Sequence, residues 1–503
     1  MKPRIVLYWI KRDLRLHDNE ALAKAIEIAR INDAKVLCMY SFEPILLEDQ
    51  HYSQRHWDFV SQGLQDMKRE LGLLHTDVMT LEEDVLHILQ TLLQRTEVVA
   101  VVSHIETGLM VTYKRDIAFA KACKNKGITW YETQNNGVFR FRTDRKTWRR
   151  DWKRVMEAPQ VGFDGQTTDF VSGNDIAQLS EDLKEYNIDL PRKTMFQPGG
   201  REAAMKYFAS FMKDRIRYYS RDISKPEESR VSLSRLSPYF AWGNLSIREV
   251  YQAVAKIKAL PTDQRLVNGE RIAKPINAFA SRLRWQSHFI QKFEQEPRIQ
   301  FEPFNRGYLQ LDWTINDELV QAWEQGQTGY PLVDASMRCV VKTGYLNFRM
   351  RAMVVSFLCH QLLQPFWAGS AFLARQFLDF EPGIHYGQFN MQAGVTGINT
   401  VRIYNPVLNS LKHDTDALFL KKWLPELRHL PVKFIHEPWK LTQIEQDLYD
   451  FQYGEDYPTR IVDHAEARKA ALAKLYGARK SELTKRESER ILAMHTLPGK
   501  RFA

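Results

Sequence analysis

The side chains in this sequence best suited to chemistry are basic and aromatic. Arg140 to Arg154 reads RFRTDRKTWRRDWKR, eight cations and two carboxylates with Trp148 and Trp152 among them. Such a run can meet phosphates or a partner, because Arg and Lys pair with anions and Trp stacks on flat rings. It equally suits a solvated basic helix face beside a linker. The whole chain carries a net charge of +10 and 12 Trp. Excess positive charge points to nucleic acid or an anionic membrane surface as partner and is silent on fold. Cys38, Cys123, Cys339 and Cys359 are widely spaced, with no CxxC pair. That argues against a zinc site, an iron–sulfur cluster or a disulfide framework, and fits a reducing compartment. Neither GxGxxG nor GxxxxGK[ST] occurs, so the usual phosphate-cradling loops are missing.

The elements that must position such residues change character along the chain. At roughly one domain per 150 residues, 503 residues make about two to four units. Ile5–Trp9, Lys35–Tyr40, Thr76–Thr80 and Val98–Ser103 read as short buried strands. Helical spacing lies between them at Asn19–Arg30, Gln54–Leu71 and Val85–Leu93. Alternating strands and helices imply a parallel sheet covered on both faces. This α/β unit, a Rossmann-like parallel sheet, is expected over residues 1–134, and a connector over 135–215. An all-α unit is expected over 216–495, with helices near Arg248–Leu260, Arg271–Phe293, Asp317–Gln325, Leu332–Lys342, Arg349–Leu363 and Ser370–Asp379. No signal peptide precedes the first strand and no uncharged apolar run is long enough to span a bilayer, so a cytoplasmic protein is expected.

Six ordered segments carry a family resemblance. Tyr8–Asn19 (YWIKRDLRLHDN), Ser234–Ser246 (SRLSPYFAWGNLS) and Phe279–Trp285 (FASRLRW) are three of them. Gly329–Arg338 (GYPLVDASMR), Thr343–Arg351 (TGYLNFRMR) and Val401–Val407 (VRIYNPV) complete the set. Together they resemble the photolyase/cryptochrome family over most of the chain. The resemblance implies an N-terminal α/β domain that can hold a light-harvesting pigment and a helical C-terminal domain that holds FAD. The protein supplies the geometry and electrostatics while the cofactor carries the chemistry.

Carried over position by position, the resemblance assigns Ser234, Arg235, Leu236 and Ser237 to the FAD diphosphate, with a helix N-terminus favouring the anion. Arg351 and Asp379 match an ion pair at the flavin edge, and Glu381 stands where the family has a second Asp. Gln286 takes the place of an FAD-binding Arg. His385, or Ile384 if the alignment slips by one, faces flavin N5; a His there is expected to respond near neutral pH and to act as a proton donor. Arg282 replaces the Glu of dimer-repairing members, and an Arg cannot act as a carboxylic acid. Arg282, Trp285, Arg349 and Met391 are expected around a cavity that receives a flipped dimer from DNA. Of three relay tryptophans only Trp313 remains, with Phe389 and Phe366 in the inner places; Trp367, Tyr345, Tyr386 and Tyr404 offer other routes. Glu106 is the expected contact of a second pigment (a folate, deazaflavin or flavin).

These residues imply a monomeric, FAD-dependent, blue-light-driven enzyme that repairs cyclobutane pyrimidine dimers in UV-damaged DNA, with catalytic roles for His385, Arg282 and Trp285. Two alternatives stand beside it: a cryptochrome-like photoreceptor without repair, favoured by Arg282 and the broken relay, and a nucleic-acid binding module that keeps flavin for structure. No His pair stands in Asn347–Met353, which argues against (6-4) repair.

Overall fold

The computed structural model describes residues 2–188 and 194–496. Short apolar runs form β1 (Arg4–Trp9), β2 (Lys35–Ser41), β3 (Val78–Leu81), β4 (Glu97–His104) and β5 (Thr129–Thr133). All pair in parallel, in the order β3-β2-β1-β4-β5. Successive residues of a strand point to opposite faces. Val6 and Tyr8 therefore enter one apolar cluster, and Ile5, Leu7 and Trp9 the other. Helices α1 (Glu20–Ile31) and α2 (Gln54–Gly72) cover the first face; α3 (Val85–Arg95) and α4 (Met110–Asn125) cover the second. Covering both faces is what an all-parallel sheet requires.

The segment read as a connector is docked onto the sheet. It holds helices α5 (Trp148–Glu157), α6 (Gly173–Ser180) and α7 (Arg201–Lys213); positions 189–193 of it lie outside the described residues. Phe170 and Glu185 form single bridges to Val36 and Leu81, and Tyr186 stacks on Phe42 at 3.6 Å. The basic run divides in two. Arg140 pairs with Glu132 and Glu294, Arg142 with Asp151, and Arg145 is buried over Trp148. Lys146, Arg149, Arg150, Lys153 and Arg154 face solvent.

The rest is mainly helical. The elements used below are α8 (Ser237–Ala241), α9 (Ile247–Ala259), α10 (Ala273–Gln295), α11 (Pro331–Thr343), α12 (Phe348–Ser356), α13 (Trp367–Gln376) and α14 (Pro382–Gln392). Most bounds shift by one to three residues from the sequence reading, as at α13, which begins at Trp367 and not Ser370; two helix ends differ in kind. The helix begun at Phe348 ends as α at Ser356 and continues as a π turn, Phe357–Gln361. The helix expected to reach Asp379 stops at Gln376, where Phe377 turns extended, so Asp379 stands on the loop before α14.

The two halves meet backbone to backbone. Gly243 has φ +78°, and a Cβ there would overlap the Arg12 carbonyl; only glycine meets both demands. Arg15 donates to the Gly243 carbonyl at 2.9 Å. Arg248, on α9, pairs with Asp18. No helix among the described residues is long and apolar enough to cross a membrane.

Candidate functional site

A narrow cavity of about 30 Å³, open to solvent at its mouth, lies where α12, α14 and the loop between α13 and α14 meet. Its walls are apolar (Val355, Phe377, Phe380, Ile384, Phe389) and its edges polar (Arg351, Asp379, Glu381, His385, Gln388, Gln392). Asn347 caps α12 by accepting the Met350 N–H at 2.9 Å, which fixes the turn that carries Arg351. Arg351 Nη2 donates to both Asp379 oxygens at 2.8 Å and Nε donates to the Leu346 carbonyl at 2.9 Å. The guanidinium lies 3.9 Å over the Phe377 ring. The extended turn at Phe377 is what brings ring, cation and carboxylate into one wall.

Glu381 caps the N-terminus of α14, accepting the Gly383 N–H at 3.4 Å. Arg12 reaches it from the end of β1, Nη1 to Oε2 at 3.4 Å. Arg12 also donates to the Phe380 carbonyl at 3.2 Å and to the Tyr52 hydroxyl at 2.9 Å, and lies 4.7 Å over Trp242. Burial pushes the Glu381 carboxyl up to about 7, and Arg12 opposes only part of that rise.

His385 lies on the same helix and is 8% exposed. Its Nε2 donates to the Ser370 carbonyl at 2.9 Å. Burial pushes the imidazole down to about 3. The ring is therefore neutral across the physiological range and presents Nδ1 as an acceptor. The expected response near neutral pH, and the proton donation that went with it, are not features of this ring.

The run Ser234–Ser237 is not in the cavity wall, but Asp379 of that wall is near enough to act on the Arg235 charge. Arg235 has φ +59° and its guanidinium lies 3.7 Å over the Tyr345 ring. Its Nη1 donates to the Arg230 carbonyl at 3.0 Å, while its buried Nε has no partner. Burial lowers its pKa, the mark of a cation short of counter-charge. Leu236 is buried and is the N-cap residue of α8, so a helix N-terminus does stand at Ser237, on a helix of only five residues. The Ser234 and Ser237 hydroxyls make no hydrogen bond among the described residues. An orphaned guanidinium N–H and two free hydroxyls on one turn, beside an apolar cavity with polar edges, are the donor set that a diphosphate joined to a flat heteroaromatic ring needs. The residues present therefore fit FAD.

Arg282 and Trp285 project from α10 and are exposed, Trp285 by 43%. Arg282 faces the Tyr219 phenol, and Trp285 meets His288 at 5.3 Å and Phe289 at 5.8 Å. A Cβ on Gly387 would press on Phe289 at 3.0 Å, so α10 and α14 touch there. That contact lies one turn from Trp285 on α10 and one turn from Met391 on α14. Gln286 and Met391 are half-buried. Arg349 donates to Ser224 Oγ at 3.2 Å. Trp313 and Trp367 meet edge to face at 5.7 Å, while Tyr345 stands apart beneath Arg235.

Arg12, Tyr52 and His51 were not among the expected site residues. Arg12 belongs to the opening KRDLR run, but nothing in its local spacing points to a carboxylate 369 positions away. A second narrow cavity, about 20 Å³, lies between the two halves, and Arg12, Glu106 and Glu381 all line it. Glu106 accepts from Arg115 at 2.5 Å and lies 3.9 Å from Arg12.

Residues 6–155 match the family model described as DNA photolyase, and residues 279–477 the one described as the FAD binding domain of DNA photolyase. A deoxyribodipyrimidine photo-lyase of Alkalihalophilus pseudofirmus is 28% identical over 487 residues, covering 92% of this chain and 96% of its own. A cryptochrome DASH of Gloeobacter violaceus is 26% identical over 487 residues, covering 92% of this chain and 94% of its own. The crystal structure of a Synechocystis cryptochrome superposes with a TM-score of 0.81 at 23% identity, over 94% of this chain and 99% of that one.

Proposed function

The chain belongs to the photolyase/cryptochrome family, and from that premise we propose that it is a deoxyribodipyrimidine photo-lyase, an FAD-dependent enzyme that uses blue light to split cyclobutane pyrimidine dimers in DNA. The observation that carries the reading is the Arg351–Asp379 pair set in the wall of an apolar cavity, with the orphaned Arg235 N–H nearby. When bound and reduced, FAD supplies a light-driven electron to the dimer.

The protein's residues do the positioning. Arg235, Ser234 and Ser237 donate to the diphosphate, with Leu236 setting the turn between them. Asp379 and Glu381 offer acceptors to the ring edge, and Arg351 places positive charge where a reduced ring carries negative charge. His385 offers Nδ1 as an acceptor at that edge, and Gln286 an amide. Arg282, Trp285 and Met391 receive the dimer: Trp285 stacks on the extruded bases, and Arg282 donates to a pyrimidine carbonyl or a phosphate. Arg349 contacts the backbone. The net charge of +10 favours a polyanion through release of its counterions. A second pigment at Glu106, in the cavity between the halves, belongs to the same proposal. So do a monomeric state, a cytoplasmic location, and the division at residues 1–134, 135–215 and 216–495.

The test is dimer repair in a UV-irradiated oligonucleotide, using the dithionite-reduced protein under blue light with a dark control. Light-dependent loss of dimers is expected. A second reading, a cryptochrome-like photoreceptor, is favoured by one feature: Arg282 replaces the Glu that the resemblance puts there in dimer-repairing members, and it cannot supply a proton as a carboxylic acid can. No repair by a protein holding fully reduced FAD would select that reading.

A further inference from the structure

We propose that Tyr386 is a redox-active tyrosine that feeds electrons to the flavin site, with His51 as its proton acceptor. The inference rests on the FAD reading above.

Asp49, His51 and Tyr386 form a buried hydrogen-bonded line across the contact between the two halves. His51 Nδ1 lies 2.6 Å from Asp49 Oδ1. An ionised carboxylate only accepts, so Nδ1 carries the hydrogen. With the ring neutral, Nε2 is the acceptor, and the Tyr386 phenol, which also meets the Ser370 side chain, donates its O–H to it. His51 is 3% exposed and Tyr386 1%.

This is more than a buried hydroxyl needs. Tyr239 and Tyr330 satisfy theirs on the carbonyls of Pro198 and Val462, each at 2.8 Å. Tyr386 instead meets a base that a carboxylate holds in one tautomer, the arrangement that takes a proton in the act of reaction.

Tyr386 is also one ring from the cavity. It lies edge-on to His385 at 5.3 Å, and His385 lines the cavity wall. The tryptophan pair is less well placed. Trp367 meets Phe366 at 5.1 Å, Phe389 lines the cavity, and phenylalanine is much harder to oxidise than tyrosine. Burial raises the pKa of the Tyr386 phenol, so it is not ionised beforehand. Electron and proton therefore have to leave together.

In the step, Tyr386 gives one electron to light-excited oxidised flavin. Its O–H bond breaks and an N–H bond forms on His51 Nε2, leaving a neutral tyrosyl radical and an imidazolium held by Asp49. An exogenous thiolate then returns one electron to Tyr386 and becomes a thiyl radical, two of which couple to a disulfide; the phenol proton comes back from His51, and the flavin keeps the electron.

The experiment is electron paramagnetic resonance of the flavin-loaded, oxidised protein under blue light. It compares the natural chain, the same chain with ring-deuterated tyrosine, Tyr386→Phe and His51→Asn. A tyrosyl signal is expected that narrows on deuteration and is lost in Tyr386→Phe. In His51→Asn it should form about a hundredfold more slowly. Deuteration leaves the fold untouched and shows whether any of the 20 tyrosines is oxidised; if Tyr386→Phe fails to fold, the slowed formation in His51→Asn assigns the radical to Tyr386, and an unchanged rate there overturns the inference. A flavin-loaded chain whose radical does not narrow, or whose signal survives Tyr386→Phe, overturns this inference alone. A chain that binds no flavin overturns the FAD reading and this inference with it.

Discussion

Replacing Glu381 with Gln should remove a pH-dependent loss of stability, and its size follows from the burial of the carboxyl. The group is 6% exposed, and burial raises it from 4.5 to about 7 despite Arg12. A carboxyl raised in the folded state holds its proton where the unfolded chain has already released it. Its contribution is thus full below about 4.5, falls as the pH rises towards 7, and is gone above. At about 1.4 kcal/mol per pH unit of separation, the whole effect is about 3 kcal/mol, of which about 2.5 kcal/mol falls between pH 5 and pH 8. Glu381→Gln keeps the volume and cannot ionise. Urea unfolding of both chains at several pH values reads the effect. The natural chain should lose about 2.5 kcal/mol more than the variant between pH 5 and pH 8. Glu43, also buried and raised to about 7, cancels in the difference because both chains contain it. A difference that stays flat over this range, or grows with pH in the opposite sense, would refute the placement of a protonatable carboxyl between the two cavities.

Asp379→Ala leaves Arg351 without its carboxylate in the cavity wall and should cost on the order of 3 kcal/mol, with loss of bound FAD; thermal melting and flavin absorbance check it. His385→Asn should leave the pH dependence of repair unchanged between pH 5 and pH 8, because burial holds the imidazole near about 3; a variant that flattens an existing slope there would show that His385 titrates in the range. Gly243→Ala combines a positive φ with overlap on the Arg12 carbonyl and should destabilise by more than about 1 kcal/mol in chemical denaturation. Arg349→Ala should weaken binding of UV-damaged DNA and reduce the slope of log affinity against log salt by about 1; unchanged affinity at low salt would remove Arg349 from the interface.

What was legible in the sequence was what local pattern encodes. The apolar runs at Ile5–Trp9 and Lys35–Tyr40 are strands because their side chains fill both faces of a covered sheet. Asn19 marks the start of α1 because its side chain accepts the Leu22 N–H. The end of α13 was misplaced because Phe377 and Leu378 continue the helical pattern. Packing overrides that pattern: Phe377 turns out of the helix to lie under Arg351. The helix start expected at Ser237 is there, but the chain must turn at Gly243 against Arg12, which leaves α8 only five residues. His385 read as a switch because a histidine in isolation titrates near neutrality. Its silence comes from burial among Phe377, Phe380 and Phe389; helical spacing puts Phe389 one turn away on α14, but Phe377 and Phe380 reach the ring through the turn between α13 and α14, which the local pattern does not show.

The contacts that carry the remaining chemistry are of a different kind. Arg12 meets Glu381 across 369 positions, and His51 meets Tyr386 across 335. Both pairs join the α/β half to α14 or its cap, so each depends on how the halves dock. Docking at Gly243 fixes where Arg12 stands, and Arg12 in turn holds the Phe380 carbonyl and the Glu381 cap. The position of α14, and with it His385 and Tyr386 relative to the cavity, is therefore set partly from the opposite half of the chain. A substitution at Arg12 should shift FAD affinity although the residue belongs to the α/β half. Arg12→Lys, which keeps the charge but loses the fork that spans Tyr52, Phe380 and Glu381, is the sharper test. If charge alone held the loop, the lysine chain would bind FAD as the natural one does; the geometry requires weaker binding with no change in net charge.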